Sequence, residues 1–262
     1  MNILLNGDSI SYTGGYTDSQ GKLWYHQFPK EYSLTNLSSV TQSNSCILTR
    51  TCNEILKNPK KYNLVIVQWG KIDRLSLFHK EDRFGNYFSM PNPVEYCTKW
   101  TDSQKLIQEL WLNNFVSDRH EILEYISCIT LLYHFLKSQQ INFVFIKGFD
   151  NFFNDIKQAN WVDSSEEYLT KLMFRDQLPD HDIDILHQEL RTPYLAMVDQ
   201  TNDVWVNLHD PSWANLIYQL KSEFPEIYSN DLADDNKHGG ILTNQYYYKL
   251  FVDFIKKKGL VF

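Results

Sequence analysis

The chain of 262 residues is predicted to form an α/β fold built on a mostly parallel sheet covered on both faces. Three observations carry that prediction. Short apolar runs recur along the chain, longer stretches of helical spacing lie between them, and no repeat, low-complexity tract or Pro/Gly/Ser-rich linker divides it. A chain of this length with 43% hydrophobic residues can bury a large core, so one domain over 1–262 is the expectation.

Taken in order, Ile3 to Leu5 reads as a buried strand that stops at Asn6-Gly7-Asp8. Tyr32 to Leu37 reads as a weaker strand. Asn44 to Leu56 places Ile47, Leu48 and Ile55 at near-helical spacing, and Asn63 to Val67 reads as a second interior strand. The region from Phe78 to Asp118 has scattered aromatics, Pro91, Pro93 and no clear period, which suits a long loop or cap over one end of the sheet. Glu121 to Leu136 carries an apolar helical stripe through Ile122, Tyr125, Ile129, Leu132 and Leu136, and Ile141 to Ile146 is a third interior strand. Helix-like stretches follow near Ser165 to Arg175, Ser212 to Phe224 and Leu242 to Lys258, where Lys256-Lys257-Lys258 suits a solvated last turn capped by Gly259.

A net charge of −7, from 25 basic and 32 acidic residues, argues against a general phosphate-binding surface, so no nucleic-acid partner is expected. Four cysteines, Cys46, Cys52, Cys97 and Cys128, include no C-x-x-C pair and read as buried thiols rather than a disulfide framework. The N-terminus lacks a basic n-region and a long apolar run, and no later stretch approaches transmembrane length. The expectation is a cytoplasmic chain with no membrane partner.

The residues that could carry chemistry sit near the two ends. Gly7-Asp8-Ser9 directly follows the first strand, which would set a hydroxyl at the carboxyl end of a parallel sheet, where open α/β folds position their ligands. Taken alone, G-D-S is also ordinary turn chemistry. Asp235-Asn236-Lys237-His238 precedes the last helix and offers an imidazole with a carboxylate three residues away. A serine hydroxyl is a poor nucleophile until a base takes its proton, and the base needs an acid to hold its tautomer. Ser9, Asp235 and His238 supply the three types.

An N-terminal strand ending in G-D-S, alternating strands and helices, and D-x-x-H before a C-terminal helix together resemble the first and fifth blocks of the SGNH (GDSL-type) hydrolase superfamily. The resemblance spans nearly the whole chain. It implies a three-layer α/β/α flavodoxin-like fold and hydrolysis of an ester or acetyl group through an acyl-enzyme on Ser9, with His238 as general base and Asp235 orienting it. It implies no metal and no cofactor.

The middle blocks depart from the family pattern. Ser43-Asn44-Ser45-Cys46-Ile47-Leu48-Thr49-Arg50 is similar to the S-N-x-x-I-x-R variant of phage-encoded members, which hints at a viral source, and Thr41 stands where a glycine amide of the oxyanion hole is expected, its own backbone N–H able to serve as that donor where the turn tolerates a side chain. The third block, G-x-N-D in the family, reads Gly70-Lys71-Ile72-Asp73, with isoleucine in place of the asparagine donor. Loss of one such donor costs about a hundred- to a thousandfold in rate unless another group replaces it. Asn44, Gln68 and Arg74 are the candidates for replacement beside Gly70, each with an ordinary structural role open to it: helix cap, strand residue, surface charge.

His181-Asp182-Ile183-Asp184-Ile185-Leu186-His187 is a competing constellation. On a helix His181, Asp184 and His187 would drift about 60° per step, which fits a solvated face better than a metal site. The aromatic excess, 7 Trp, 16 Tyr and 16 Phe, is ordinarily core, yet Tyr246-Tyr247-Tyr248 cannot all face inward. Such rings, with Trp69 beside the expected site, could stack on sugar faces, which favours a small-molecule or carbohydrate ester as substrate. An SGNH-like binding protein without turnover and an O-acyltransferase are the alternatives.

Overall fold

The computed structural model describes residues 1–40, 42–71, 75–78, 87–90, 118–149, 192–208, 210, 212–236 and 238–260. Strands β1 (Asn2–Asn6), β2 (Ser33–Asn36), β3 (Leu64–Trp69) and β6 (Asn142–Lys147) form an all-parallel sheet in the order β2-β1-β3-β6. Register pairs Leu4 with both Thr35 and Val65, and Ile66 with Val144. A single parallel bridge from Phe145 to Trp205 continues the series beyond β6. This is the doubly wound flavodoxin-like order, whose reversal point falls between β1 and β3.

β3 is buried along its whole length because its two faces serve two cores. Side chains alternate across a strand. Leu4, Val65, Val67, Trp69, Phe143 and Phe145 therefore pack on one side, against α1 (Asn44–Lys57), α2 (Asp118–Ser138) and α3 (192–201). Ile3, Leu5, Leu64, Ile66, Val144 and Ile146 pack on the other, against α4 (Trp213–Glu223) and α6 (Ile241–Lys257). A short α5 (Pro225–Tyr228) links those two helices. Local chemistry sets the ends. Ser43 and Ser212 accept the Cys46 and Asn215 amides at the starts of α1 and α4, and Asp231 accepts the amides of Leu242 and Thr243 at the start of α6. Past α6, Gly259 turns back on Lys256 at φ +65°, so the lysine run ends a helix as expected.

Each expected strand and helix that falls on described residues is present, with no end moved by more than three residues. The stretch Ser165 to Arg175 lies outside them, as does the His181 to His187 constellation. The region 78–118 was expected to be a long loop or cap; within it Tyr87–Met90 is a strand, β5, paired antiparallel with β4 (Leu75–Phe78), and residues 79–86 and 91–117 lie outside the described ones. Four-residue strands offer too few alternations to stand out from loop in sequence. Cys46 and Cys128 are buried and Cys52 is half-buried, and none of the three is in a disulfide. Among the described residues no helix is long and apolar enough to cross a membrane.

Candidate active site

β1 ends in Asn6, whose buried side chain ties the strand to α1. Its Nδ2 donates to Ile47 O at 3.0 Å and Thr51 Oγ1 at 2.9 Å, while its Oδ1 accepts from Gly7 N at 2.9 Å and Gln42 Nε2 at 3.0 Å. Arg50 donates to Gln42 Oε1 at 2.9 Å, so the Arg of the S-N-x-x-I-x-R segment braces the approach to α1. The chain then enters a 3-10 turn, Ser9–Ser11, in which Asp8 Oδ1 accepts from Ile10 N. From the outside, Asn36 Nδ2 donates to Ser11 O and Tyr25 Oη donates to Tyr12 O, both at 2.9 Å. Ser9 itself is only 8% exposed, and its Oγ emerges at the carboxyl end of the sheet beside the reversal point.

The segment after α5 meets this turn. Leu232 bridges Gly239, Ala233 N donates to His238 O, and Asn236 closes the tight loop at φ +58°, a conformation Asn tolerates better than most residues. Asp235 N donates to Gly15 O at 3.1 Å, and Thr17 N donates to Asp234 Oδ2 at 2.9 Å. Gly15 is required there. Its φ is +80°, and a Cβ would lie 2.4 Å from Asp235 Oδ1.

These contacts bring three expected residues into one hydrogen-bonded series. Asp235 Oδ1 accepts from His238 N at 3.0 Å and its Oδ2 lies 2.6 Å from His238 Nδ1. A carboxylate can only accept, so Nδ1 carries a hydrogen, and in the neutral imidazole Nε2 is then the bare nitrogen. Nε2 lies 3.1 Å from Ser9 Oγ, close enough to receive its hydrogen. The His238 and Asp235 side chains are 26% and 31% exposed, which leaves the imidazole open on one side. The surroundings are acidic: burial first, and then Asp231, Asp234 and Asp235, push the Tyr16 hydroxyl up to about 12.

The expected oxyanion donors behave differently. Asn44 is the first residue of α1 rather than its cap. Its Oδ1 accepts from Gly70 N at 2.9 Å and its Nδ2 donates to Lys71 O at 2.9 Å, so the Gly70 amide and the Asn44 amide are spent on each other's turn. Gln68 donates to Asp8 Oδ1 at 2.8 Å and Trp69 O at 3.2 Å, which uses both of its hydrogens. Among the described residues the Ser9 N–H is given to no acceptor. Thr41, Ile72 and Arg74 lie outside the described residues.

Trp69 is a correction. It is 0% exposed and packs edge-on against Tyr125 and Phe145 in the core on the α1 and α2 side of the sheet, so its ring is closed to any substrate. The strand alternation that turns Gln68 to one face turns Trp69 to the other. Of the tyrosine triplet, Tyr247 is buried with its ring stacked 4.6 Å from Trp213, and Tyr246 and Tyr248 are partly buried in the same core. Sequence reasoning left Asp8, Gly15 and Asn6 without roles. Polar residues at a strand end and the Gly14-Gly15 pair were the available signals. Among the described residues no three His, Cys, Asp or Glu side chains group as a metal site would require.

The class defined by fold and site is thus a parallel, doubly wound α/β chain with a Ser-His-Asp series at the carboxyl end of its sheet. No protein-family model matches the chain, and no curated protein matches it. In chain path it is similar to several solved structures. An acetyl xylan esterase, AlAXEase, aligns at 12% identity over 97% of this chain and 98% of that one, with a TM-score of 0.48. The psychrotrophic esterase EstA from Pseudoalteromonas sp., solved with monoethylphosphonate as inhibitor, aligns at 11% identity over 98% and 97%, with a TM-score of 0.49. A lipolytic G-D-S-L family protein from Veillonella parvula aligns at 12% identity over 98% and 97%, with a TM-score of 0.42.

Proposed function

We propose that the chain is a serine ester hydrolase of the SGNH type that works through an acyl-enzyme on Ser9. The observation that carries this reading is the series Ser9 Oγ to His238 Nε2 at 3.1 Å and His238 Nδ1 to Asp235 Oδ2 at 2.6 Å. As Ser9 Oγ bonds to the acyl carbon, its proton passes to His238 Nε2, and the imidazolium is stabilised by Asp235. The Ser9 N–H, given to no acceptor among the described residues, would be a donor to the developing oxyanion. Collapse of the tetrahedral intermediate breaks the ester C–O bond, and His238 returns the proton to the leaving alcohol. A water then repeats the sequence, losing its proton to His238 and releasing the acid and the serine.

The substrate class we favour is a small O-acyl ester, an O-acetylated carbohydrate among them. The esterases of similar chain path are consistent with it, but Trp69 no longer supports the sugar preference. The decisive experiment is labelling by a serine-reactive alkyl phosphonate. Wild type should be labelled at one site and Ser9→Ala should not; folded wild type that resists labelling would remove the hydrolase reading. The second reading, an SGNH-like binding module without turnover, is favoured by one observation: Asn44, Gln68 and the Gly70 amide are all committed to internal hydrogen bonds.

A further inference from the structure

In the run Val65-Ile66-Val67-Gln68-Trp69, Gln68 is the polar residue of a strand that is otherwise apolar and wholly buried. An amide in that position costs free energy unless its groups are bonded. Gln68 is 0% exposed, and both hydrogens of Nε2 are bonded, to Asp8 Oδ1 at 2.8 Å and to Trp69 O at 3.2 Å. The same Asp8 Oδ1 accepts from Ile10 N at 3.2 Å. A single carboxylate oxygen therefore joins the end of β3 to the turn that carries Ser9.

The orientation of the amide is forced. Gln68 Oε1 is buried with no hydrogen-bond partner among the described residues. Exchanging O and N would set Oε1 against Asp8 Oδ1 and Trp69 O, two acceptors, so the orphan oxygen is the lesser cost. Space for the amide is made by Gly148 after β6, where a Cβ would lie 2.1 Å from Gln68 Nε2 and 2.4 Å from Trp69 O. A buried, oriented amide with a glycine cut away around it is more than strand filler.

We infer that Gln68 is a positioning residue: through Asp8 it holds the 3-10 turn in the geometry that aims Ser9 Oγ at His238 Nε2. It does not touch substrate. The inference rests on the reading of Ser9 as nucleophile, and it replaces the sequence-based expectation of Gln68 as an oxyanion donor.

Two variants test it. Gln68→Met keeps length and volume but has no donor, while Gln68→Glu can donate to Asp8 only when protonated. Phosphonate labelling of Gln68→Met should slow by about a hundredfold, the order expected for a small misplacement of a reacting group. On a short-chain aryl ester kcat should fall while KM stays near wild type. Amide hydrogen exchange should quicken at Ile10 and stay unchanged at Leu4 in β1. The labelling rate of Gln68→Glu relative to wild type should fall as pH rises, because a carboxylate at 68 would face Asp8; the same ratio for Gln68→Met should be flat.

A Gln68→Met protein labelled at the wild-type rate, with Ile10 exchange unchanged, overturns the inference and leaves the proposed function standing. So does a rise in KM at constant kcat, which would make Gln68 a substrate contact, or flat pH ratios for both variants, which would make it packing. If Gln68→Met does not fold, low-pH rescue of Gln68→Glu still decides. Wild type that fails to label overturns the reading of Ser9 and the positioning role together.

Discussion

Replacing Asp235 by Asn removes one charge and about no volume, and its effect can be worked from two contacts. Asp235 Oδ1 accepts from His238 N and Oδ2 from His238 Nδ1. An Asn that keeps its oxygen on the backbone amide turns its NH2 toward Nδ1, so Nδ1 must become the acceptor and the ring hydrogen moves to Nε2. The imidazole then points a donor at Ser9 and cannot take its proton. The lost charge adds to this. With side chains 26% and 31% exposed, an effective dielectric of about 20 applies, and opposite charges about 4 Å apart attract by about 4 kcal/mol. That is close to a thousandfold at about 1.4 kcal/mol per tenfold. Asp235→Ala, which loses the charge but leaves the ring free to choose its tautomer, should therefore fall about a thousandfold. Asp235→Asn should fall about ten-thousandfold. Single-turnover hydrolysis of a short-chain aryl ester measures both, with far-ultraviolet circular dichroism to show that the fold is kept. An Asp235→Asn protein that is folded and retains more than a tenth of the wild-type rate would refute the argument.

Gly15→Ala should lower both stability and activity, since the residue sits at φ +80° and its new Cβ would strike Asp235. The backbone strain of about 1–2 kcal/mol corresponds to a Tm drop of about 2–8 °C by thermal melting, while the rate should fall more than tenfold because the carboxylate is displaced. Trp69→Ala should cost about 3–5 kcal/mol of unfolding free energy by urea titration. Trp69→Phe should leave KM unchanged; a raised KM would return the ring to the substrate site. Burial pushes the Cys128 thiol up from 9.0 to about 12, so iodoacetamide at pH 8 should modify it only on unfolding, as mass spectrometry can read. The sign of the linked stability follows: between pH 9 and 12 the unfolded chain loses this proton and the native chain keeps it, so stability should fall across that window and Cys128→Ser should flatten part of the fall.

The sheet was legible because its strands are interior. Ile3 to Leu5, Asn63 to Val67 and Ile141 to Ile146 are apolar on both faces, as only a strand between two helix layers can be, and the helices between them carry one-sided stripes. The short hairpin of Leu75–Phe78 and Tyr87–Met90 was not legible, because four residues carry almost no period.

Ser9, Asp235 and His238 were singled out from sequence because two short motifs, a G-D-S turn after a strand and a D-x-x-H loop before a helix, together resemble the SGNH pattern, and each motif folds into a compact local turn. The remaining site residues are decided at long range. Gln68 meets Asp8 across 60 positions and Asn44 meets Gly70 across 26, and a side-chain amide has no sequence signature that tells which of several partners it will reach. Trp69 and Gln68 are adjacent, yet one lines a core and the other holds the serine turn. The alternation of a strand dictates that neighbours face opposite ways, but which way each faces depends on the helices that cover the sheet, and those are set only when the chain closes on itself.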